Sequence, residues 1–482
     1  MENSKKSNGK VFTPKEVVNK MLEHAGYIAE NTGIILKSHV IDNSCGDGSF
    51  LSAIVEVYIQ AAKNVGLTDR ETSNNICKYI HGIEIDAETC RKCRENIANE
   101  AKCYGIDIDV DNLDIICDNA LTVTKYDGKM DFVFANPPYV RIQNIKEHTG
   151  NERYDILKSY SFAKKGSSDL YLAFYELGLR MMSDHGIMLY IAPSSWLTSA
   201  SGEAMRQYIM ETKKLSVVVD FGHKQLFDNA TTYSLITGFV NAPSSAVVLL
   251  NEDWKYQYCI PYSNLSINGK FYLAPVDKAD TLAAIENCEC DKIKVKNGIA
   301  TLADDVFIDN LPKDFPADFS IPIIKASTGK WARCMFPYCL DILDQIVPIS
   351  ISDIEELYPE LYCYIKSNEN RLKKRTYDKS AKWWEIGRSQ GLSDTFKEKI
   401  AINNLTKKPG DIKITKVPAG SHVYSGLYIL TDKPFKVIET ALKSEDFFNY
   451  VKLLKKYKSG GYYTFSSKDV EKFLNYWIYG NK

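Results

Sequence analysis

Several things are missing from this 482-residue sequence, and each absence excludes a class of protein. No stretch approaches 18 consecutive apolar residues, so no membrane-spanning helix is expected. The opening Met1-Glu2-Asn3-Ser4-Lys5-Lys6 leads into polar residues rather than an apolar segment, so no secretory leader is expected and the cytoplasm is the expected location. A formal net charge of -1 with 45% hydrophobic residues excludes a disordered chain and leaves no basic signature over the whole protein. The 12 cysteines show no framework spacing. Cys90/Cys93 and Cys288/Cys290 are close pairs without a second pair to complete a zinc site, so reduced thiols and no metal are expected. There is no Gly-Lys-Ser/Thr phosphate loop and no repeat of fixed period.

What is present is a chain roughly three times the usual domain length, which predicts two or three domains. Lys+Arg against Asp+Glu runs 26 to 31 over residues 1–240, 8 to 12 over 241–329 and 26 to 18 over 330–482. A basic rear of this kind meets a polyanion or is plain solvated surface, and charge by itself does not choose. Thr13-Pro14-Lys15-Glu16 reads as a capping box with proline at the first helical position, followed by Val17, Val18, Met21 and Leu22 at helical spacing. A strand His39 to Asp42 breaks at Asn43 to Gly48, and a helix opens at Ser49. Further strands are predicted over Tyr79 to Ile85, Leu113 to Cys117, Met130 to Ala135, Ile187 to Ala192, Ser216 to Asp220 and Ser234 to Val240, with helices between most of them. This alternation predicts an α/β, doubly wound, mostly parallel seven-stranded sheet, in which ligands sit beyond the carboxyl ends of the strands.

Those strand ends carry polar groups. Asp42 to Gly48 is a glycine turn that permits close backbone approach by a nucleotide-like ligand. Glu84, 36 residues beyond Gly48, is placed to accept from both hydroxyls of a ribose. Turn and acid together point to an adenosine-bearing cofactor, and the missing third glycine departs from a dinucleotide fingerprint. Asp118 either accepts from an adenine amino group or is an exposed carboxylate of the acidic run Asp107 to Asp118. Asn136-Pro137-Pro138-Tyr139 follows a buried strand and has no backbone donor at two successive positions, so it offers acceptors only. The Asn136 side-chain oxygen and the Pro137 carbonyl can accept from one planar amino group, while the Tyr139 ring can stack on a base.

In this order the motifs resemble those of the S-adenosylmethionine-dependent amino methyltransferases, most closely the gamma group of adenine-N6 DNA methyltransferases of restriction-modification systems. Val11-Phe12-Thr13-Pro14 looks like the leading cofactor motif, Asp42 to Phe50 the glycine turn, Glu84-Ile85-Asp86 the ribose acid, Asp118-Asn119 the adenine contact and Asn136 to Tyr139 the catalytic tetrapeptide. Asp169-Leu170-Tyr171 and Ile191 to Trp196 are similar to later segments, and Phe227 in Lys224-Gln225-Leu226-Phe227 matches the second aromatic that covers the target base. The resemblance implies a Rossmann-like methyltransferase fold, S-adenosyl-L-methionine as cofactor, double-stranded DNA as substrate, a cognate restriction endonuclease as partner, and a monomer. It implies catalytic roles for Asn136, Pro137, Tyr139 and Phe227, and cofactor contacts at Val11, Thr13, Asp42, Ser44, Gly46, Glu84, Ile85, Asp118, Asn119 and Pro138. Asn43-Ser44 stands where relatives have Pro-Ala, and Asp42 keeps the carboxylate that cofactor binding needs.

Residues 1–250 are thus expected to form the catalytic domain and 251–482 a mixed α+β target-recognition domain. Basic residues interleave with aromatics there, as in Arg371 to Tyr377, Lys382 to Gln390, Lys397 to Pro409 and Lys452 to Tyr463. DNA contacts are expected from Arg141, Lys164, Lys165, Lys224, Trp384, Arg388 and Lys407. The polar stretch Arg141 to Ser168 is expected to be a mobile loop that orders on DNA. Transfer to RNA adenine, transfer to a protein glutamine, which needs the same acceptor turn, and a catalytically silent DNA-specificity subunit are the competing functions. Asparagine in the tetrapeptide favours adenine over the chemically similar cytosine-N4 amine.

Overall fold

The computed structural model describes residues 13–142, 151–164, 168–227, 233–313 and 315–480. Val11 and Lys165 lie outside them. The chain divides into two compact units, Met1–Asp280 and Thr281–Lys482.

The first unit is built on strands β1 (Val40–Asp42), β2 (Ile80–Glu84), β3 (Asp114–Cys117), β4 (Met130–Ala135), β5 (Met182–Pro193), β6 (Leu215–Asp220), β7 (Ser234–Val240), β8 (Ala246–Leu250) and β9 (Tyr256–Pro261). Their order in the sheet is β3-β2-β1-β4-β5-β7-β6-β8-β9. The first seven are the predicted seven, and β8 and β9 extend the sheet beyond β6 to nine strands. Strands β3 to β5 pair in parallel, β7 runs antiparallel to both β5 and β6, β8 is parallel to β6, and β9 is antiparallel to β8. Because β9 pairs with β8, with one register shift between Leu249 and Leu250, the first unit continues past the 250/251 division read from the sequence.

Alternation along the strands feeds two cores, as expected where both faces are covered. Val133 and Ala135 of β4 join one apolar cluster with Met188, Tyr190 and Ala192 of β5. Phe132 and Phe134 join the other with Leu189 and Ile191. Helices α1 (Lys15–His24), α2 (Ser49–Asn64), α3 (Asp69–Tyr79) and α4 (Ala87–Cys103) bury Val18, Met21, Leu51, Ile54, Ile76 and Cys93 in the second cluster. Helix α5 (Asn151–Ser159), helix α6 (Leu170–Met181) and helix α7 (Glu203–Thr212) serve the first, with Leu157, Tyr171, Tyr175, Met205 and Ile209 buried.

Two expectations are corrected here. The capping box at Thr13 does not form: α1 starts at Lys15 with Pro14 as N-cap and no side-chain cap, and Glu16 instead faces Lys20 at 3.6 Å. A lost cap of this kind costs about 1 kcal/mol. The stretch 141–168 is not irregular throughout, since it contains α5 and a helical turn Ser161–Ala163. Leu157, Tyr160, Phe162 and Ala163 are buried, the Tyr160 hydroxyl donates to the Leu121 carbonyl at 2.6 Å, and Glu176 accepts from the Phe162 N–H at 2.8 Å. Apolar residues inside a polar composition supply the packing that a composition reading misses.

The second unit is mixed α+β. One antiparallel sheet has the order Lys294–Asn297, Leu427–Leu430, Lys399–Ile402, Ile414–Val417, and a second sets Ser320–Lys325 between Lys330–Met335 and His422–Tyr424. Helices include Pro359–Ser367, Glu445–Leu453 and Ser467–Tyr479. Polar clusters tie its loops down. Asp394, 1% exposed, accepts from Lys296 at 2.6 Å, Lys397 at 2.9 Å and the Tyr428 hydroxyl at 2.8 Å. The buried Lys399 ammonium donates to the carbonyls of Ser421 and Thr395. Arg375, buried as well, donates to the carbonyls of Thr301, Trp383 and Glu385.

Candidate active site

Strand β1 ends on Asp42, 2% exposed. Burial pushes its carboxyl up to about 7, and Glu84 pushes it the same way, while the Ser44 N–H, donating to Oδ1 at 3.0 Å, opposes both. The turn that follows passes through left-handed conformations at Gly46 (φ 55°) and Gly48 (φ 93°), and at Gly48 a Cβ would also sit 3.0 Å from Cys93 Sγ. Cys45 is buried and its thiol lies 3.7 Å from Cys93 Sγ, with its pKa raised, so it is a turn residue and no nucleophile. Asn43, fully buried, donates to the Tyr190 hydroxyl at 2.5 Å.

Strand β2 ends on Glu84, 7% exposed. Oε2 accepts from Gly46 N–H at 3.1 Å and Oε1 from Asp86 N–H at 2.9 Å, so the acid and the glycine turn are fixed against each other. Ile85 beside it is 48% exposed, an apolar surface at the same rim. The Asp118 N–H donates to the Glu84 carbonyl at 3.1 Å, Asp118 Oδ1 accepts from Asn119 N–H at 2.6 Å, and Asn119 caps the turn Ala120–Thr122 through Leu121 N–H. Asp118 is exposed. Ser44 Oγ is buried without a partner among the described residues, a polar atom left for a ligand. These groups fit S-adenosylmethionine: acceptors for ribose hydroxyls at Glu84, an apolar face at Ile85 and a carboxylate at Asp42 for a cationic methionine moiety.

The tetrapeptide follows β4 directly. Pro137 is buried and Asn136, Pro138 and Tyr139 are partly buried. The Asn136 side chain is held at both ends: Nδ2 donates to Thr13 Oγ1 at 3.1 Å, and Oδ1 accepts from the Tyr139 hydroxyl at 2.6 Å. That hydroxyl also lies 3.1 Å from the Ile191 carbonyl of β5. Burial raises the Tyr139 phenol, so it stays neutral. Tyr171 sets its ring edge against Tyr139 at 6.3 Å between centroids and pairs its own hydroxyl with Ser195 Oγ at 3.1 Å. Sequence reading noted the segments that hold Tyr171, Ile191 and Ser195 but gave them no role. Phe227, 5% exposed, lies in the apolar cluster of Val18, Leu22, Phe134 and Phe221, against which Tyr139 also packs.

The residues expected to touch DNA fall into two kinds. Arg141, Lys164, Lys224, Arg388 and Lys407 are exposed. Arg141 forms an isolated antiparallel bridge with Asp169, and Lys407 Nζ stands 5.6 Å above the Tyr462 ring. Trp384 is different: its indole N–H donates to the Ile349 carbonyl at 3.2 Å, and the ring meets Trp383 edge-on and packs against the core of the second unit.

Residues 53–227 match the family of the Eco57I restriction-modification methylase. The chain is 22% identical over 480 residues to the type II restriction enzyme and methyltransferase RM.Eco57I of Escherichia coli, covering 80% of this chain and 48% of that protein. It is 24% identical over 481 residues to the type II methyltransferase M.BanIII of Aneurinibacillus aneurinilyticus, covering 84% of this chain and 78% of that one. The type II methyltransferase M.BstVI of Geobacillus stearothermophilus is 26% identical over 241 residues, 48% of this chain and 41% of that protein. The chain thus spans about half the length of RM.Eco57I and less of M.BstVI. Among solved structures, the type IIL restriction-modification enzyme MmeI in complex with DNA shares the fold at TM-score 0.61 and 14% identity, over 94% of this chain and 65% of that one. Residues 53–227, which run from the helix behind the glycine turn to Phe227, are thus similar to the Eco57I restriction-modification methylase family.

Proposed function

We propose that this chain transfers a methyl group from S-adenosylmethionine to the N6 amine of an adenine rotated out of duplex DNA, at a short sequence selected by the second unit. The observation that carries the proposal is the acceptor turn at the end of β4, Asn136 to Tyr139, next to a glycine turn and a ribose acid locked together by hydrogen bonds. Bound S-adenosylmethionine supplies an electrophilic methyl group. The amine of adenine is a poor nucleophile because its lone pair is delocalised into the ring. Asn136 Oδ1 and the Pro137 carbonyl accept from that amine, favour a pyramidal nitrogen and stabilise the positive charge that grows on it. Unstacking a base costs a few kcal/mol, which stacking on Tyr139 and Phe227 offsets at about 1–3 kcal/mol per ring. The exposed Arg141, Lys164, Lys224, Arg388 and Lys407 are assigned to the phosphate backbone and base edges. MmeI, which shares the fold, was solved with DNA, and RM.Eco57I carries restriction and methylation in one protein. These likenesses support the reading of a modification role beside an endonuclease activity.

The test incubates the full chain with labelled S-adenosylmethionine and unmethylated genomic DNA, beside Asn136→Ala, followed by nucleoside analysis and single-molecule mapping. N6-methyladenine confined to one short motif, with at least about a hundredfold less product from the variant, is the expected result. N4-methylcytosine instead corrects the target base. Label in RNA or protein but not in DNA overturns the proposal.

A further inference from the structure

Strands β1, β2 and β3 lead to Asp42, Glu84 and Asp118, and their opposite ends are joined by titratable side chains that methyl transfer does not use. His39 stands just before β1, His81 lies in β2 and Asp114 opens β3. His39 Nδ1 is 2.8 Å from His81 Nε2, and His81 Nδ1 is 2.7 Å from Asp114 Oδ2. The other Asp114 oxygen accepts from Lys125 Nζ at 2.7 Å. The two imidazole planes lie within 15° of each other with centroids 5.1 Å apart. Nitrogens at 2.8 Å are closer than stacked rings can come, so the rings meet edge to edge with one nitrogen facing the other. Tyr79 sets its ring edge against His39 and Tyr126 tilts against His81, and the ammonium groups of Lys78 and Lys125 stand over those two tyrosine rings. Asp131 accepts from the His39 N–H at 2.8 Å and from the Ser183 hydroxyl at 2.9 Å. His81 is buried and His39 half-buried, so protons reach the pair from the His39 side.

This geometry limits how many protons the pair can hold. Burial opposes it, yet His81 and Lys125 hold the Asp114 carboxyl well below the usual carboxylate range, so it is an ionised acceptor and His81 Nδ1 carries a proton. Between the two facing nitrogens there is room for one proton, whichever ring owns it. The last site is His39 Nε2. The closed pair therefore holds at most three protons, one fewer than two separate imidazolium rings. Burial, the facing His81 and Lys78 hold the His39 imidazole below its ordinary 6.5, against the pull of Asp131 and Asp114. Falling pH favours whichever state binds more protons, which here is the open one. We propose that His39, His81 and Asp114 form a proton-operated latch across the amino ends of β1, β2 and β3, closed while the imidazoles share one proton and opened when each ring carries its own. Asp42 is three residues beyond His39, Glu84 three beyond His81 and Asp118 four beyond Asp114, so opening acts directly on the opposite rim. The latch stands by itself, and only its effect on cofactor binding rests on the function proposed for that rim. Asp42 cannot produce the same response, because its protonation favours the unliganded fold.

The experiment follows backbone hydrogen exchange of the unliganded full chain by mass spectrometry between about pH 7.5 and pH 5, corrected for the intrinsic effect of pH, beside His39→Asn. Asparagine sets an amide where Nδ1 stands and does not titrate, so it can meet His81 in either protonation state. The Cys45 and Asp118 amides, which donate to the carbonyls of Ile83 and Glu84 at 3.0 and 3.1 Å, report on the rim. In the wild type, segments 39–48, 80–86 and 114–118 are expected to exchange at least about tenfold faster at the acid end, with helix α6 unchanged, while in the variant they change by less than about twofold. Protection that stays flat in the wild type overturns the proposal. So does a loss that persists in His39→Asn, which would belong to another group: His24 on Trp254 and His422 on Tyr428 are also held low by burial and are untouched by the substitution. Should the variant not melt cooperatively, wild-type protein labelled with nitrogen-15 histidine decides alone. A shared proton that is lost as the strands loosen supports the latch, and two complete imidazolium rings in strands that remain protected overturn it. None of these results depends on methyl transfer, so a chain that puts no label into DNA leaves the latch standing.

Discussion

The buried carboxylates Asp42 and Glu84 of the first unit are held by backbone N–H groups, whereas Asp394 of the second is gripped by two lysines and a tyrosine. Backbone donors hold a carboxylate in place without cancelling its charge. Burial then raises Asp42 to about 7 and leaves it ready for a cationic ligand. At Asp394 the lysine partners outweigh burial and the carboxyl falls to about 2. At Asp42 the uncompensated charge suits the cofactor site proposed above, whereas at Asp394 the answered charge ties loops together.

The sharpest way to break this contrast is to remove the answered charge. Asp394→Ala leaves the buried Tyr428 hydroxyl without its acceptor while the half-exposed Lys296 and Lys397 turn to solvent, and is expected to destabilise the chain by about 1–3 kcal/mol in urea unfolding. Because the folded pKa of Asp394 is depressed, its contribution is present above the ordinary carboxylate value of 3.8 and is lost as pH falls toward about 2. A loss of less than about 1 kcal/mol would erase the distinction between the units.

Asp42 has the opposite sign. Its raised pKa means the unliganded fold prefers the protonated form, so its own contribution to stability declines as pH rises from 3.8 toward about 7. Positively charged S-adenosylmethionine prefers the ionised form. Cofactor affinity is therefore expected to strengthen by about tenfold between pH 6 and pH 8 in equilibrium dialysis, and Asp42→Asn should abolish that slope. An unchanged slope in the variant would move the titration to another group. The smallest effect is expected at the exposed basic residues. Arg388→Ala should weaken DNA binding a few-fold and reduce the salt slope by about 1, with stability within about 0.5 kcal/mol of wild type.

The same contrast governs what could be read without coordinates. Strands of a parallel sheet are apolar runs that stop at polar residues, so β1, β2 and β4 and the groups at their ends stand out in the sequence. Helix α3 escaped because only Thr72 and Ile76 of its residues are buried, although Thr68 and Glu71 form the capping box that Thr13 and Glu16 do not. The Thr13 error has a general cause: a capping rule is local, and the partner that takes the hydroxyl comes from β4's distant end. In the second unit, interleaved aromatics and basic residues were legible as composition, but not which of them face inward. Trp384 gives its N–H to a core carbonyl, and Arg375 ties down the backbone at Trp383 and Glu385, while Arg388 a few residues on is exposed.

The reversed strand β7 has one more consequence. Because it runs antiparallel between β5 and β6, Asp220 at the end of β6 and Ser234 at the start of β7 lie at the same rim of the sheet as Pro193, the last residue of β5. The connection from 221 to 233, which includes Phe227, therefore leaves and returns at one edge, and its length is independent of strand register. A graft between these two anchors can vary in length without shifting the register of the sheet, provided that Phe221 and Phe227, both buried in the cluster of Phe134, are kept.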